Sequence, residues 1–150
     1  MIEAVGKEYL DSYFAKCSSL LKANGLMVLQ AITIADQRFE HYSKEVDFIQ
    51  KFIFPGGFLP SVTKMAGAVC QHTDLVIRQL SDIGLDYART LADWYQRFEL
   101  QKEQVLALGY DQRFIRMWQF YLCYCEGGFL ERATSTVHLV LAKPGFKDAV

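Results

Sequence analysis

Asn24-Gly25-Leu26-Met27-Val28-Leu29-Gln30-Ala31-Ile32-Thr33 decides the fold. Residues 26–33 form a near-continuous apolar run opened by a turn pair, a pattern that suits a strand buried on both faces of a sheet. Immediately upstream, Tyr9, Tyr13 or Phe14, Cys17, and Leu20 or Leu21 recur at spacings of three and four. That stripe predicts an amphipathic helix over 8–21, with Asn24-Gly25 as its left-handed stop.

Downstream, residues 35–43 read as a polar link, followed by a helical stripe of Val46, Ile49 or Gln50, and Ile53 that Pro55-Gly56-Gly57 must break. Ser61 is an N-cap residue type and predicts a short helix to residue 68. Residues 75–80 suit a second strand, after which Gly84 turns the chain and Asp86 is placed to cap a long helix carrying Tyr87, Leu91, Trp94 or Tyr95, Phe98 and Val105. Gly109 should end that helix. A further helix from Asp111 aligns Phe114, Trp118, Tyr121 or Leu122, and Cys125, with Gly127-Gly128 as its terminus. Residues 134–143, β-branched and apolar before Pro144-Gly145, predict a closing strand. The order is α/β, with a helical insertion between the first two strands.

The 150 residues are about one domain's worth, enough to bury a core without disulfides or metals. Sixteen basic and seventeen acidic residues nearly cancel and are scattered, so the chain lacks the electrostatic footprint of a nucleic-acid binder. The apolar runs are strand-length, short of the ~20 residues of a spanning helix. The N-terminus carries Glu3 where a secretory leader is basic, so a cytoplasmic location is expected. Cys17, Cys70, Cys123 and Cys125 show no metal-ligand spacing, and reduced thiols with no metal are expected.

Several short segments share one likeness. Glu3-Ala4-Val5-Gly6, Gln30-Ala31-Ile32-Thr33, Phe54-Pro55-Gly56-Gly57-Phe58-Leu59-Pro60-Ser61, Gly84-Leu85-Asp86-Tyr87, Trp94-Tyr95-Gln96-Arg97-Phe98 and Cys125-Glu126-Gly127-Gly128-Phe129 resemble the C-terminal half of the cyclopropane-fatty-acyl-phospholipid synthase family. The likeness runs essentially end to end. It implies a single domain over 1–150, the substrate-side half of a class I (Rossmann-like) methyltransferase fold. About three strands are expected in a mixed sheet, with the final strand antiparallel between the two before it. It also implies S-adenosylmethionine as methyl donor, bicarbonate as base, and an unsaturated phospholipid acyl chain as substrate at a peripherally contacted membrane. No G-x-G-x-G-like segment occurs in the chain, so the cofactor-binding half is expected to be absent. The 26–33 strand then lacks its parallel neighbour, which predicts a homodimer or domain-exchanged oligomer.

The resemblance implies four catalytic positions. Glu3 matches the acid of Glu-x-Val-Gly that receives a hydrogen bond from bicarbonate; read by itself it is an exposed acid near a helix start. Tyr87 matches the tyrosine of Gly-x-Asp-Tyr, and otherwise is a core tyrosine. Cys125 matches the cysteine of Cys-x-Gly-x-Phe near the anion; by itself it is a small buried hydrophobe. Gln30 stands where many members of the family have histidine, and an amide can donate to an anion but cannot titrate. Cyclopropanation, methylation and methylenation therefore all stay open. Phe52, Phe54, Phe58 and Leu59 resemble the wall of an acyl-chain tunnel, with an aromatic cluster under a loop as the alternative. Tyr95, Phe98, Trp118 and Tyr121 read as core, and His41, His72 and His138 match no motif. Two other readings of the whole remain: a non-catalytic fragment or oligomerisation domain, and a small-molecule methyltransferase of the same fold.

Overall fold

The structure is a computed structural model, and residues 1–147 are described. The described residues form two compact units, one of residues 1–83 with 135–147 and the other of residues 84–134.

The first unit holds three strands, β1 (Leu26–Ile34), β2 (Val76–Asp82) and β3 (Thr134–Ala142), in the order β1-β3-β2. The last strand in sequence is thus the middle one in space, as expected. β3 pairs with β2 antiparallel, from Val76 opposite Ala142 to Asp82 opposite Val137, with an irregularity between Ile77 and Gln79. Links from Gly25 to Lys143, Gln30 to His138 and Thr33 to Ser135 climb β1 while descending β3, so this pair is antiparallel too.

One face of the sheet builds the core. Leu29 and Ala31 from β1, with Val137, Leu139 and Leu141 from β3, pack with Leu10 and Phe14 of α1 (Leu10–Leu20) and with Met65, Ala68 and Val69 of α4 (Val62–His72). Alternate residues of a strand face opposite ways, so Leu26, Val28 and Gln30 occupy the other face. Burial of β1 on both faces does not hold, because β1 is the outer strand and Val28 is 60% exposed.

Local endings differ from the sequence reading for identifiable reasons. α1 ends at Leu20 with Leu21 extended, and no left-handed stop forms at Asn24-Gly25. Gly25 instead closes a turn onto the Lys22 carbonyl, where a Cβ would come within 3.0 Å of that oxygen. Residues 35–43 are not a link but contain α2 (Asp36–Tyr42), because Phe39 finds a buried place on one side of it. Val46 lies outside α3 (Phe48–Phe52), which starts at Asp47 through a reciprocal cap with Gln50. Ser61 caps α4 through the Lys64 N–H, and the helix continues past residue 68 to His72. Ser18, Asp74 and Lys143 tie the start of β2 to α1 and the end of β3, with Lys143 Nζ 2.7 Å from Asp74 and 3.0 Å from Ser18.

The second unit is three helices, α5 (Gly84–Leu100), α6 (Lys102–Ala107) and α7 (Gln112–Leu130). Asp86 sits inside the first turn of α5 and is not its cap. The single long helix expected there divides at Gln101, whose N–H bonds the Phe98 carbonyl in a tightened turn. α7 starts where expected, with Asp111 as its cap through the Phe114 N–H. Gly127-Gly128 does not terminate α7. The stop comes later, where Arg132 adopts φ 55° and the Arg132 and Ala133 N–H groups bond the Phe129 and Gly128 carbonyls. Gly128 is small for a packing reason, since a Cβ there would meet Thr134 Oγ1 at 3.1 Å.

Candidate functional site

Glu3 is built into the first unit from two sides. Its backbone carbonyl accepts from the Phe58 N–H at 2.8 Å, joining the Glu-x-Val-Gly segment to the Pro-Gly-Gly-Phe turn. Its Oε1 accepts from the Ile32 N–H at 2.7 Å, on the outer edge of β1. Gly6, at φ 87°, lets the chain turn away after the motif. Ile2 beside it is fully buried. Glu3 is therefore not the exposed acid of the bland reading, as its side chain keeps only 24% of its surface.

Burial pushes the Glu3 carboxyl up, but hydrogen bonds from the chain's α-amino group and from Ile32 outweigh that and leave it below the ordinary carboxylate range. It is an anion at neutral pH and acts as an acceptor. Tyr13 lies close enough to Glu3 to be affected by it: burial, then Cys17, then Glu3 raise its phenol to about 12. Gln30 stands on β1 two residues before Ile32, exposed, with its side-chain oxygen 2.9 Å from His138 Nε2. On the same strand as His138, Thr136 Oγ1 is buried without a hydrogen-bond partner among the described residues.

The four residues read as an acyl-chain wall separate into two environments. Phe58 is buried with Ile34 and Phe39, and Leu59 packs against that cluster while its N–H donates to the Tyr42 hydroxyl. Phe52 and Phe54 are 53% and 56% exposed on the other side of the turn made by Gly56 at φ 81°.

In the second unit, Tyr87 lies in the first turns of α5, with its ring 5.1 Å from Phe129 and 6.4 Å from Trp94. Cys125 lies on α7. Tyr121 feels both, and its phenol is pushed up to about 12 by burial first and then by Cys125 and Tyr87. Sequence reasoning placed Tyr121 in the core; the available signal was its spacing of four from Cys125, which puts both on one helix face. Tyr13 and Tyr121 stay protonated well above their ordinary 10.0, so the unfolded chain releases these protons first. Their contribution is complete below pH 10 and lost as pH rises towards 12. Alkaline unfolding, followed by circular dichroism and tyrosinate absorbance, should fall in that window and soften in Tyr13→Phe and Tyr121→Phe. Normal ionisation near 10 in the folded chain would contradict this.

Among the described residues there is no cluster of His, Cys, Asp or Glu able to hold a metal, and no helix long and apolar enough to cross a membrane. All four cysteines are thiols.

A core of α1 and α4 against β1 and β3, with an acid fixed at the β1 edge, is the arrangement of an α/β methyltransferase fragment, and comparison with known proteins makes it specific. The Mycolic acid cyclopropane synthetase family profile matches residues 1–139. The chain belongs to this family. It is 40% identical over 129 residues to tuberculostearic acid methyltransferase UfaA1 of Mycobacterium tuberculosis, covering 86% of this chain and 30% of that protein. It is 35% identical over 148 residues to cyclopropane-fatty-acyl-phospholipid synthase of Escherichia coli K12, covering 95% and 36%. The mycolic acid cyclopropane synthase CmaA1, solved with SAH and CTAB, superposes with TM-score 0.84 at 25% identity, over 94% of this chain and 52% of that one. The chain therefore spans about a third of the length of these curated relatives.

Proposed function

We propose that this chain is the substrate-side portion of an S-adenosylmethionine-dependent fatty-acyl methyltransferase that acts on the cis double bond of an unsaturated phospholipid, with bicarbonate as the base. The observation that carries the reading is the Glu3 carboxylate, held against the Ile32 N–H two residues along β1 from Gln30. The family match supports the reaction class, and a relative bound to a lipid-like cationic detergent supports an acyl-chain substrate.

The residues present do not fit S-adenosylmethionine. No glycine-rich turn follows β1 or β2, and Asp36, the acid after β1, is already engaged by the Thr63 N–H. The cofactor belongs, in this reading, to protein outside these residues.

Bicarbonate does fit the donor set. The ionised Glu3 oxygens can accept from its hydroxyl, and the Gln30 amide can donate to its charged oxygens. Bicarbonate held there supplies negative charge and a proton acceptor next to a carbocation. Tyr87 and Cys125, in the second unit, carry the roles implied by the resemblance, each to be substituted singly. Phe58 and Leu59 back the turn, leaving exposed Phe52 and Phe54 to meet acyl chains at a membrane surface. The apolar outer edge of β1 favours a second copy or another polypeptide as a pairing partner.

The test is the protein expressed from its natural coding region, incubated with S-adenosylmethionine and vesicles of cis-unsaturated phospholipid, with products read by mass spectrometry. Acyl chains should gain one CH2 group in a bicarbonate-dependent way, and fragmentation then distinguishes a ring from a methylene branch or a methylated double bond. Methylation of a soluble amine with untouched lipid would overturn the reading.

A further inference from the structure

Gln30 and His138 face each other across β1 and β3, on the side of the sheet away from the core built by Leu29, Leu139 and Leu141. The contact joins the Gln30 amide oxygen to His138 Nε2 at 2.9 Å. An amide oxygen only accepts, so the ring nitrogen must carry the proton and donate. We propose that His138 is a positioning residue for Gln30: its Nε2–H holds the amide oxygen and leaves the Gln30 NH2 group facing away as a fixed hydrogen-bond donor to an anion.

The physical need is specific. A glutamine amide has an oxygen and a nitrogen of nearly equal size on one rotatable bond, and an unrestrained amide presents its oxygen to an anion as readily as its NH2. One orientation attracts the anion and the other repels it. Gln30 is exposed, so packing does not choose between them. His138, half-buried on the central strand, makes that choice through a single donor. Its place is held by the β2–β3 ladder, where Ser81 stands opposite His138 and is itself bonded by Gln79 Nε2 at 2.8 Å. The same hydrogen bond selects the Nε2–H tautomer of the neutral ring.

This inference rests on the reading of Gln30 as an anion-binding residue, and two measurements separate the parts. Long-range proton–nitrogen spectra of the unaltered, isotopically labelled chain should show His138 in the Nε2–H tautomer. The Gln30 side-chain NH2 signals should shift towards those of a solvated amide in His138→Phe and stay in place in His138→Gln, whose own amide can donate to the same oxygen. Titration with 13C-labelled bicarbonate should show affinity falling about fivefold in His138→Phe, the value of one ordinary hydrogen bond. It should show no further fall when His138→Phe is added to Gln30→Ala. An Nδ1–H ring, or Gln30 signals indifferent to His138→Phe, overturns the positioning role. Bicarbonate affinity unchanged by Gln30→Ala, or no binding by the unaltered chain, overturns the anion role of Gln30 and with it the proposal.

Discussion

Glu3→Gln in the complete protein should lower methyl transfer to lipid by about a hundredfold or more, the scale of a lost acid–base contribution, while leaving the fold intact. Glutamine keeps the size of the side chain, and its amide oxygen can still accept from the Ile32 N–H that Glu3 now receives at 2.7 Å. What disappears is the negative charge and the second acceptor oxygen, which the proposed function requires for bicarbonate. Turnover within a few-fold of the unaltered protein would remove Glu3 from the chemistry. In the 150-residue chain, where the Met1 α-amino group is the first of the donors that lower the Glu3 carboxyl, the same substitution has a signature in stability. Because the folded carboxyl lies below its ordinary 4.5, its contribution is present above that pH and is lost as pH falls through the lower folded value. The acid limb of the stability curve should therefore flatten in Glu3→Gln, a result readable without any turnover.

Phe14→Ala should cost about 3–5 kcal/mol, measured by urea unfolding. Phe14 is fully buried where α1 meets the sheet, and its ring meets Tyr13 edge-on at 5.4 Å. Truncation leaves a cavity between α1, α4 and β3, walled by residues such as Met65 and Leu141 that are themselves fully buried and held by the surrounding elements. Such a loss is a large part of the ~5–15 kcal/mol by which a domain is stable. Phe14→Leu, which keeps most of the volume, should cost much less. A loss below about 1 kcal/mol in Phe14→Ala would mean that the site collapses freely, against the close packing expected of a core.

Relatives bear on the product left open by Gln30. The chain is similar both to a methyltransferase named for tuberculostearic acid and to a cyclopropane synthase, so similarity alone does not choose between a branch and a ring. The mass-spectrometric test does.

The strands, the cap at Ser61, the start of α7 near Asp111, and the likeness at Glu3, Tyr87 and Cys125 could be read from residue order, because each depends on local spacing or on a short motif. Helix ends were less legible. Gly127-Gly128 looks like a stop, yet α7 runs through it; close packing against Thr134 calls for a small residue at Gly128, and the left-handed position falls instead on Arg132. The α2 helix was hidden in a polar segment, since one buried Phe39 is too little to make a stripe.

The sequence by itself determined the order of helices and strands through periodicity, and the class of protein through the resemblance of its short motifs to a known family; neither needs knowledge of distant neighbours. Only the tertiary structure decided that Glu3 is secured by Ile32 and Phe58, that Cys125 and Tyr87 both act on the Tyr121 phenol, and that His138 reaches Gln30. Those contacts depend on which strands lie side by side and on how helices pack, and a residue more than a hundred positions away leaves no mark on the local pattern.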